Sequence, residues 1–206
     1  MHQKETDPRK RTAILAAASA LLVALSLGVG AVAADETLNG PACVESECGN
    51  TCQNWVYATR RHTAKYLRES VALAEGFVAD PFCIAVPGVG GMGIHYPNFD
   101  RMSDLEVDAR FPELLLYAER PDGGRYLVAV EYFAPVLSDG NPWFGSATEP
   151  PPTVDNPPPV LFGQTFDGPM PGHAPGMPWH YDLHAWIWKE NPAGLFAQFN
   201  PRVQCR

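Results

Sequence analysis

The chain has 206 residues, 46% of them hydrophobic, and a formal charge of -8, which is enough apolar chain for one packed domain. Residues 1–33 carry Lys4, Arg9, Lys10 and Arg11 against Glu5 and Asp7, a net of +2, so the remainder stands at -10. A body that acidic is a poor partner for nucleic acid or anionic lipid, and both are excluded as expected ligands.

A basic start followed by the uncharged run Ala13–Ala34, which contains Ala31-Val32-Ala33, is the layout of a secretory signal peptide cleaved after Ala33. The competing reading is an uncleaved anchor, since a run of this length just spans a bilayer. Either way the rest is expected outside the cytoplasm, secreted or in the cell envelope, touching a membrane only through this segment if it is kept. Residues 34–54 form a cysteine-containing leader, and 55–206 a single α+β domain with a proline-rich loop over 147–178.

Export places the five cysteines, Cys43, Cys48, Cys52, Cys83 and Cys205, where disulfides persist. Cys205 lies one residue from the C-terminus, where a bridge would restrain a fraying tail, and Cys83 is the only other cysteine outside the N-terminal trio. Cys83–Cys205 is therefore the preferred bridge. The C-x4-C-x3-C spacing of the trio matches no trusted zinc pattern, which leaves one local bridge and one spare thiol.

Residues 54–76, NWVYATRRHTAKYLRESVALAEG, read as one amphipathic helix. Val56, Thr63, Tyr66, Leu67, Val71 and Ala74 recur at helical steps, Asn50 or Thr51 suits the start, and Gly76 the stop. The glycine-rich passage CIAVPGVGGMGIHYPNF lacks the Gly-Lys-Ser/Thr ending of a phosphate loop, so close backbone packing explains its glycines better. It leads into Ile94-His95-Tyr96.

Two apolar runs, Leu114–Ala118 and Tyr126–Phe133, flank Pro-Asp-Gly-Gly and predict a β-hairpin. Simple alternation puts Leu127, Ala129, Glu131 and Phe133 on one face, and Tyr126, Val128, Val130 and Tyr132 on the other. Glu131 thus sits in a strand that is apolar on both sides, where a carboxylate must be paired, hydrogen-bonded or metal-bound. The proline-rich stretch reads as a long surface loop interrupted by VLFGQTF, with His173 a solvated loop residue.

WHYDLHAWIW, residues 179–188, holds two histidines at i, i+4 spacing. A zinc-protease helix would need glutamate where Tyr181 stands, and the Trp, Ile and Tyr content favours a strand over Tyr181–Trp188. His180, Asp182, His184, Trp186 and Trp188 then share a face. His180 and His184 are about 13 Å apart on a strand, too far for one ion. His184, deeper in the apolar run, is the better ligand, with His95 and Glu131 as partners from other strands.

Two histidines and a carboxylate are a usual ligand set for catalytic zinc or non-haem iron. The trio could also form an acid/base cluster without metal. In the bland alternative His95 and His184 are satisfied core residues, and Glu131 pairs with Arg125, Arg202 or a backbone amide. No G-x-S-x-G elbow or dinucleotide fingerprint is present.

The blocks GMGIHYPN, LVAVEY, LFGQTF and LHAWIWKENPAGLFAQFNPRVQC together resemble a family of uncharacterised exported bacterial proteins marked by GMGxHYxN, VEY and LHxWxWxxNPxGxFxxxNPxVxC. The resemblance covers about Tyr57–Cys205. It places His95, Glu131, His184, Cys83 and Cys205 on matching positions, implies no particular reaction, and leaves the Cys43, Cys48 and Cys52 cluster and the long proline loop without support.

The expected fold is α+β, an N-terminal helix packed on an antiparallel sheet or small barrel. The first functional expectation is a metal-binding protein or metal-dependent enzyme, with one divalent transition metal (Zn, Fe or Cu) on His95, Glu131 and His184. Tyr96, Tyr132, His180 and Asp182 are its candidate catalytic groups. The second is a non-catalytic cell-envelope binding or scaffold module, taking a small molecule or envelope component in a groove of Trp179, Trp186, Trp188, Phe196 and Phe199. Separation of the trio by more than about 8 Å would defeat the metal reading.

Overall fold

A computed structural model describes residues 49–206, with the backbone alone over 49–54. The segment read as a signal peptide, Cys43 and Cys48 lie outside the described residues, as do the side chains of Asn50, Thr51 and Cys52.

The domain is mostly antiparallel sheet with a few short helices. Helix α1 (Gly49–Thr63), a 3-10 turn (Ala64–Leu67) and helix α2 (Glu69–Ala74) lead into strands β1 (Cys83–Val86) and β2 (Gly90–Pro97). Helix α3 (Phe99–Ser103) precedes the hairpin of β3 (Leu114–Glu119) and β4 (Arg125–Pro135). Short pairs follow: β5 (Leu137–Ser138) with β6 (Asn141–Pro142), and β7 (Val160–Leu161) with β8 (Gln164–Thr165). Strands β9 (Asp167–Met170) and β10 (His180–Ala185) complete a curled, open six-stranded sheet in the order β1-β2-β3-β4-β10-β9.

One face of the sheet carries the main core. Leu115, Tyr117, Val130, Tyr132 and Leu183 meet Trp55 and Tyr66 from the helical segment there. The predicted single helix is broken at Arg68, whose backbone is extended at φ -98° and ψ 106°. The cause is local hydrogen bonding. Thr63 Oγ1 bonds back to the Thr59 carbonyl at 2.8 Å, a contact that bends helices, and the Tyr66 carbonyl is taken by the Tyr117 hydroxyl at 2.5 Å. Gly76, at φ +90°, ends the segment as expected.

The glycines of β2 serve close approach. A β-carbon at Gly93 would lie 2.5 Å from the Tyr117 carbonyl oxygen, and one at Gly90 2.4 Å from that of Asn200. The hairpin forms as predicted, with one correction. Leu116 pairs with Ala129 and Tyr117 with Leu127, so Val128 bulges out of the ladder. The extra residue resets the alternation. Leu127 therefore joins the main core while Val128 and Ala129 both pack with Leu116, Trp186 and Val203 in a second cluster.

The proline-rich stretch is more than a surface loop. Leu161, Phe162 and Phe166 are buried, and β9 forms the edge of the main sheet beside β10. An edge is where Pro169 is tolerated, since it has no N–H to donate. Strand β10 ends at Ala185, earlier than predicted. Trp186 and Trp188 consequently part: the Trp186 indole donates to the Ala197 carbonyl at 2.5 Å and that of Trp188 to Thr63 Oγ1 at 3.2 Å. The Cys83–Cys205 bridge is formed, tying the C-terminal segment to β1.

Candidate metal centre

Opposite the main core, the sheet register brings chemistry together. His184 on β10 pairs directly with Glu131 on β4, so their side chains stand side by side on one face. His95 pairs with Leu116 on β3, which puts β2 two strand spacings, about 10 Å, from β4. The imidazole and the glutamate chain reach toward each other across β3 and close that gap. His95 Nε2 lies 3.3 Å from Glu131 Oε2, and His184 Nε2 lies 3.8 Å from the same oxygen. One ligand atom from each of the three falls within 4.8 Å of the others, well inside the 8 Å limit. The two imidazole rings stand nearly perpendicular, at 89°, with centroids 6.3 Å apart.

The site is enclosed. Side-chain exposure is 1% for His184, 3% for Glu131 and 14% for His95, so the opening is on the His95 side. Glu131 Oε2 and His184 Nε2 are buried without a hydrogen-bond partner among the described residues. The two arginines that a purely structural Glu131 was expected to use are engaged elsewhere. Arg125 bonds the Tyr96 hydroxyl and pairs with Glu69, and Arg202 pairs with Glu190 at 2.6 Å.

Burial dominates the electrostatics. It pushes His184 down to about 3, with His95 and His173 adding to the shift, and His95 down to about 4, with His173 adding and Asp80 opposing. It drives the Glu131 carboxyl well above its ordinary range, helped by Asp182 and Glu113, and raises Asp182 to about 7, helped by Asp167. The imidazoles are thus in the neutral, lone-pair form that binds a metal. A cation here would displace the carboxyl proton and supply the positive charge that these acids lack.

No protein-family model, curated protein or solved structure matches the chain. The reading of this centre stands on its geometry.

The structure brings together His95, Glu131 and His184 and sets two other candidates beside them. Asp182 Oδ1 is 4.0 Å from His184 Nδ1, and Asp182 Oδ2 is 4.0 Å from His180 Nε2. Tyr96 and Tyr132 are not brought to the site. Strand alternation turns both to the main core, where Tyr96 donates to Glu69 Oε1 at 2.5 Å and Tyr132 to the Ala109 carbonyl at 2.8 Å. Of the aromatic residues expected to line a groove, Trp179 and Trp186 are buried and Phe196 stacks on Phe162 at 6.0 Å, while Trp188 and Phe199 are half-buried.

His173 is an exposed loop residue, as expected, but its ring lies 5.2 Å from that of His180, a contact the sequence did not suggest. The missed signal is topological. The segment between β9 and β10 joins two paired strands, so its residues return over the start of β10, a constraint visible only once β9 is known to be a strand.

Proposed function

We propose that this is an exported metal-binding protein in which His95, Glu131 and His184 hold one divalent transition metal, zinc, iron or copper. The observation that carries the reading is the meeting of three ligand atoms within 4.8 Å from three strands, two of them buried and unpartnered. Buried polar groups in folded proteins are nearly always hydrogen-bonded, and a shared cation accounts for both at once.

Two imidazoles and one carboxylate leave coordination positions open, so the ion would supply a polarised water or a docking point for an oxygen-bearing ligand, the requirement of a metal-dependent enzyme. Entry on the His95 side suits a small molecule. Export is supported by the signal-like N-terminal segment and by the Cys83–Cys205 bridge, a bond that persists in oxidising compartments.

The test is the metal content of the protein exported to an oxidising compartment and purified without affinity tag or chelator. Near-stoichiometric zinc, iron or copper is expected, and its loss in His184→Ala and Glu131→Ala. Absence of metal from the parent, with both variants folded, would defeat the proposal and turn attention to a non-catalytic envelope-binding role.

A further inference from the structure

Three more atoms on this face are buried without a hydrogen-bond partner among the described residues: His184 Nδ1, Asp182 Oδ1 and His180 Nε2. They belong to alternate residues of β10 and so point to the same side of the sheet. Their order is a chain. His184 Nδ1 faces Asp182 Oδ1, and Asp182 Oδ2 faces His180 Nε2, each pair 4.0 Å apart and beyond hydrogen-bond reach.

The far end fixes the protons. His180 Nδ1 lies 3.0 Å from the Pro178 carbonyl oxygen, which can only accept, so Nδ1 carries the proton. A neutral imidazole has one N–H, and Nε2 is therefore a lone pair aimed at Asp182 Oδ2. At the near end, a His184 that presents its Nε2 lone pair to a cation keeps its proton on Nδ1, facing Asp182 Oδ1. Between them Asp182 must accept from one histidine and donate to the other.

We propose that Asp182 is a positioning residue, held as a carboxylic acid between His184 and His180, that fixes the His184 tautomer with the Nε2 lone pair toward the metal position. The hydrogen bonds run His184 Nδ1–H to Asp182 Oδ1, Asp182 Oδ2–H to His180 Nε2, and His180 Nδ1–H to the Pro178 carbonyl. Closing each gap takes about 1.2 Å of side-chain movement to a normal 2.8 Å contact. One proton arrangement then satisfies all three unpartnered atoms. It leaves Glu131 Oε2 and His184 Nε2 to the cation. The metal end of this inference rests on the function proposed above, while the hydrogen-bond order is a property of the protein alone.

The experiment compares Asp182→Asn, which keeps one acceptor and one donor on the same frame, with Asp182→Leu, which keeps neither. In the zinc-free exported protein, long-range proton–nitrogen spectra report which ring nitrogen of His184 bears hydrogen; zinc affinity is measured by competition with a chromophoric chelator. The parent and Asp182→Asn should show the Nδ1–H form and bind zinc equally within about threefold, whereas Asp182→Leu should lose about 10–100-fold and shift His184 toward Nε2–H. Should the leucine variant not fold, the parent and asparagine variant still decide the matter.

An Nε2–H tautomer in the parent overturns the proposal whether or not zinc binds. So does a loss in Asp182→Asn of 10-fold or more, which would make the carboxylate charge the working feature, or a second zinc equivalent that disappears in that variant. A parent that shows the expected tautomer but takes no zinc would sink the metal reading and leave the Asp182 hydrogen-bond order standing.

Discussion

The two faces of the six-stranded sheet bury polar groups in opposite ways. On the helix-covered face, four tyrosine hydroxyls each find an acceptor: Tyr66 on Glu75, Tyr96 on Glu69, Tyr117 on the Tyr66 carbonyl and Tyr132 on the Ala109 carbonyl. On the other face, five nitrogen and oxygen atoms of Glu131, His180, Asp182 and His184 have none among the described residues. The same sheet therefore displays both a solved and an unsolved polar burial problem. The helix-covered face is not wholly satisfied, since Trp55 Nε1 and Thr59 Oγ1 on α1 also lack a partner among the described residues. On the other face the unpaired atoms gather on the neighbouring strands β4 and β10, and convergence of lone pairs in a buried site is what a ligand, rather than packing, explains.

Opposite signs of mutation should expose that difference. Tyr117→Ala, on the helix-covered face, removes a fully buried ring and the hydroxyl that holds the 3-10 turn, and should lower stability by about 3–5 kcal/mol. Glu131→Leu, equally buried on the other face, removes an unsatisfied carboxyl and should raise the stability of the metal-free protein by about 1–3 kcal/mol while abolishing metal uptake. Urea unfolding of both variants with chelator present checks the pair. A Glu131→Leu variant as damaged as Tyr117→Ala would make the two faces equivalent and Glu131 a structural residue.

Much of this contrast was legible in the sequence, for reasons that differ by residue. Glu131 stood out because a carboxylate within an apolar strand needs a partner wherever that strand goes. His184 was separable from His180 because strand geometry, unlike helix geometry, keeps i and i+4 apart. The Cys83–Cys205 bridge followed from where a tail needs restraint. What failed was whatever depended on one-residue register. The Val128 bulge moved Leu127 to the opposite face, which counting by twos cannot foresee. Tyr96 and Tyr132 each directly adjoin a ligand in their strands, and alternation alone sends them to the other side, away from the site expected to hold them. Strand β9 was hidden by Pro169 and Pro171, and with it the return of His173 toward His180.

Acidity provides a second way to separate fold from site. Glu113 is buried and accepts from the Phe133 amide at 3.1 Å. Burial holds its carboxyl up at about 8, that amide opposing and Asp104 adding slightly. A carboxyl raised in the folded state above its value of 4.5 in the unfolded chain favours folding at acid pH, and that advantage is lost as pH rises through the folded value. Glu131 and Asp182 act in the same direction. The lowered values of His95, His180 and His184 act the other way, removing stability as pH falls below 6.5. The window from pH 6.5 to 8 therefore belongs to the carboxyls, and the metal-free protein should lose stability across it. Glu113→Gln keeps an oxygen for the Phe133 amide and should make the decline shallower by up to about 1.4 kcal/mol per pH unit. Thermal melts of both proteins across this window read the slope; identical slopes would mean that Glu113 is ionised in the folded state. Bound metal should make the decline shallower, because Glu131 is then ionised in the folded state as in the unfolded chain, while Glu113 keeps its share.

The smallest effect is expected at His173, which the sequence reading set aside as a solvated loop residue. His173 lies over His180 but is exposed and is not among the three residues whose ligand atoms converge. A loop side chain that must be ordered before it can help contributes little, since fixing it costs conformational entropy comparable to the energy of the interaction it would make. His173→Ala should therefore change zinc affinity by no more than about twofold, the 0.5 kcal/mol ordinary for a surface substitution, whereas His184→Ala removes binding. Competition against a chromophoric chelator resolves a factor of two. A tenfold loss in His173→Ala would mean that the loop closes onto the ion and supplies a fourth ligand, making the centre an assembly of sheet and loop instead of a property of the rigid sheet alone.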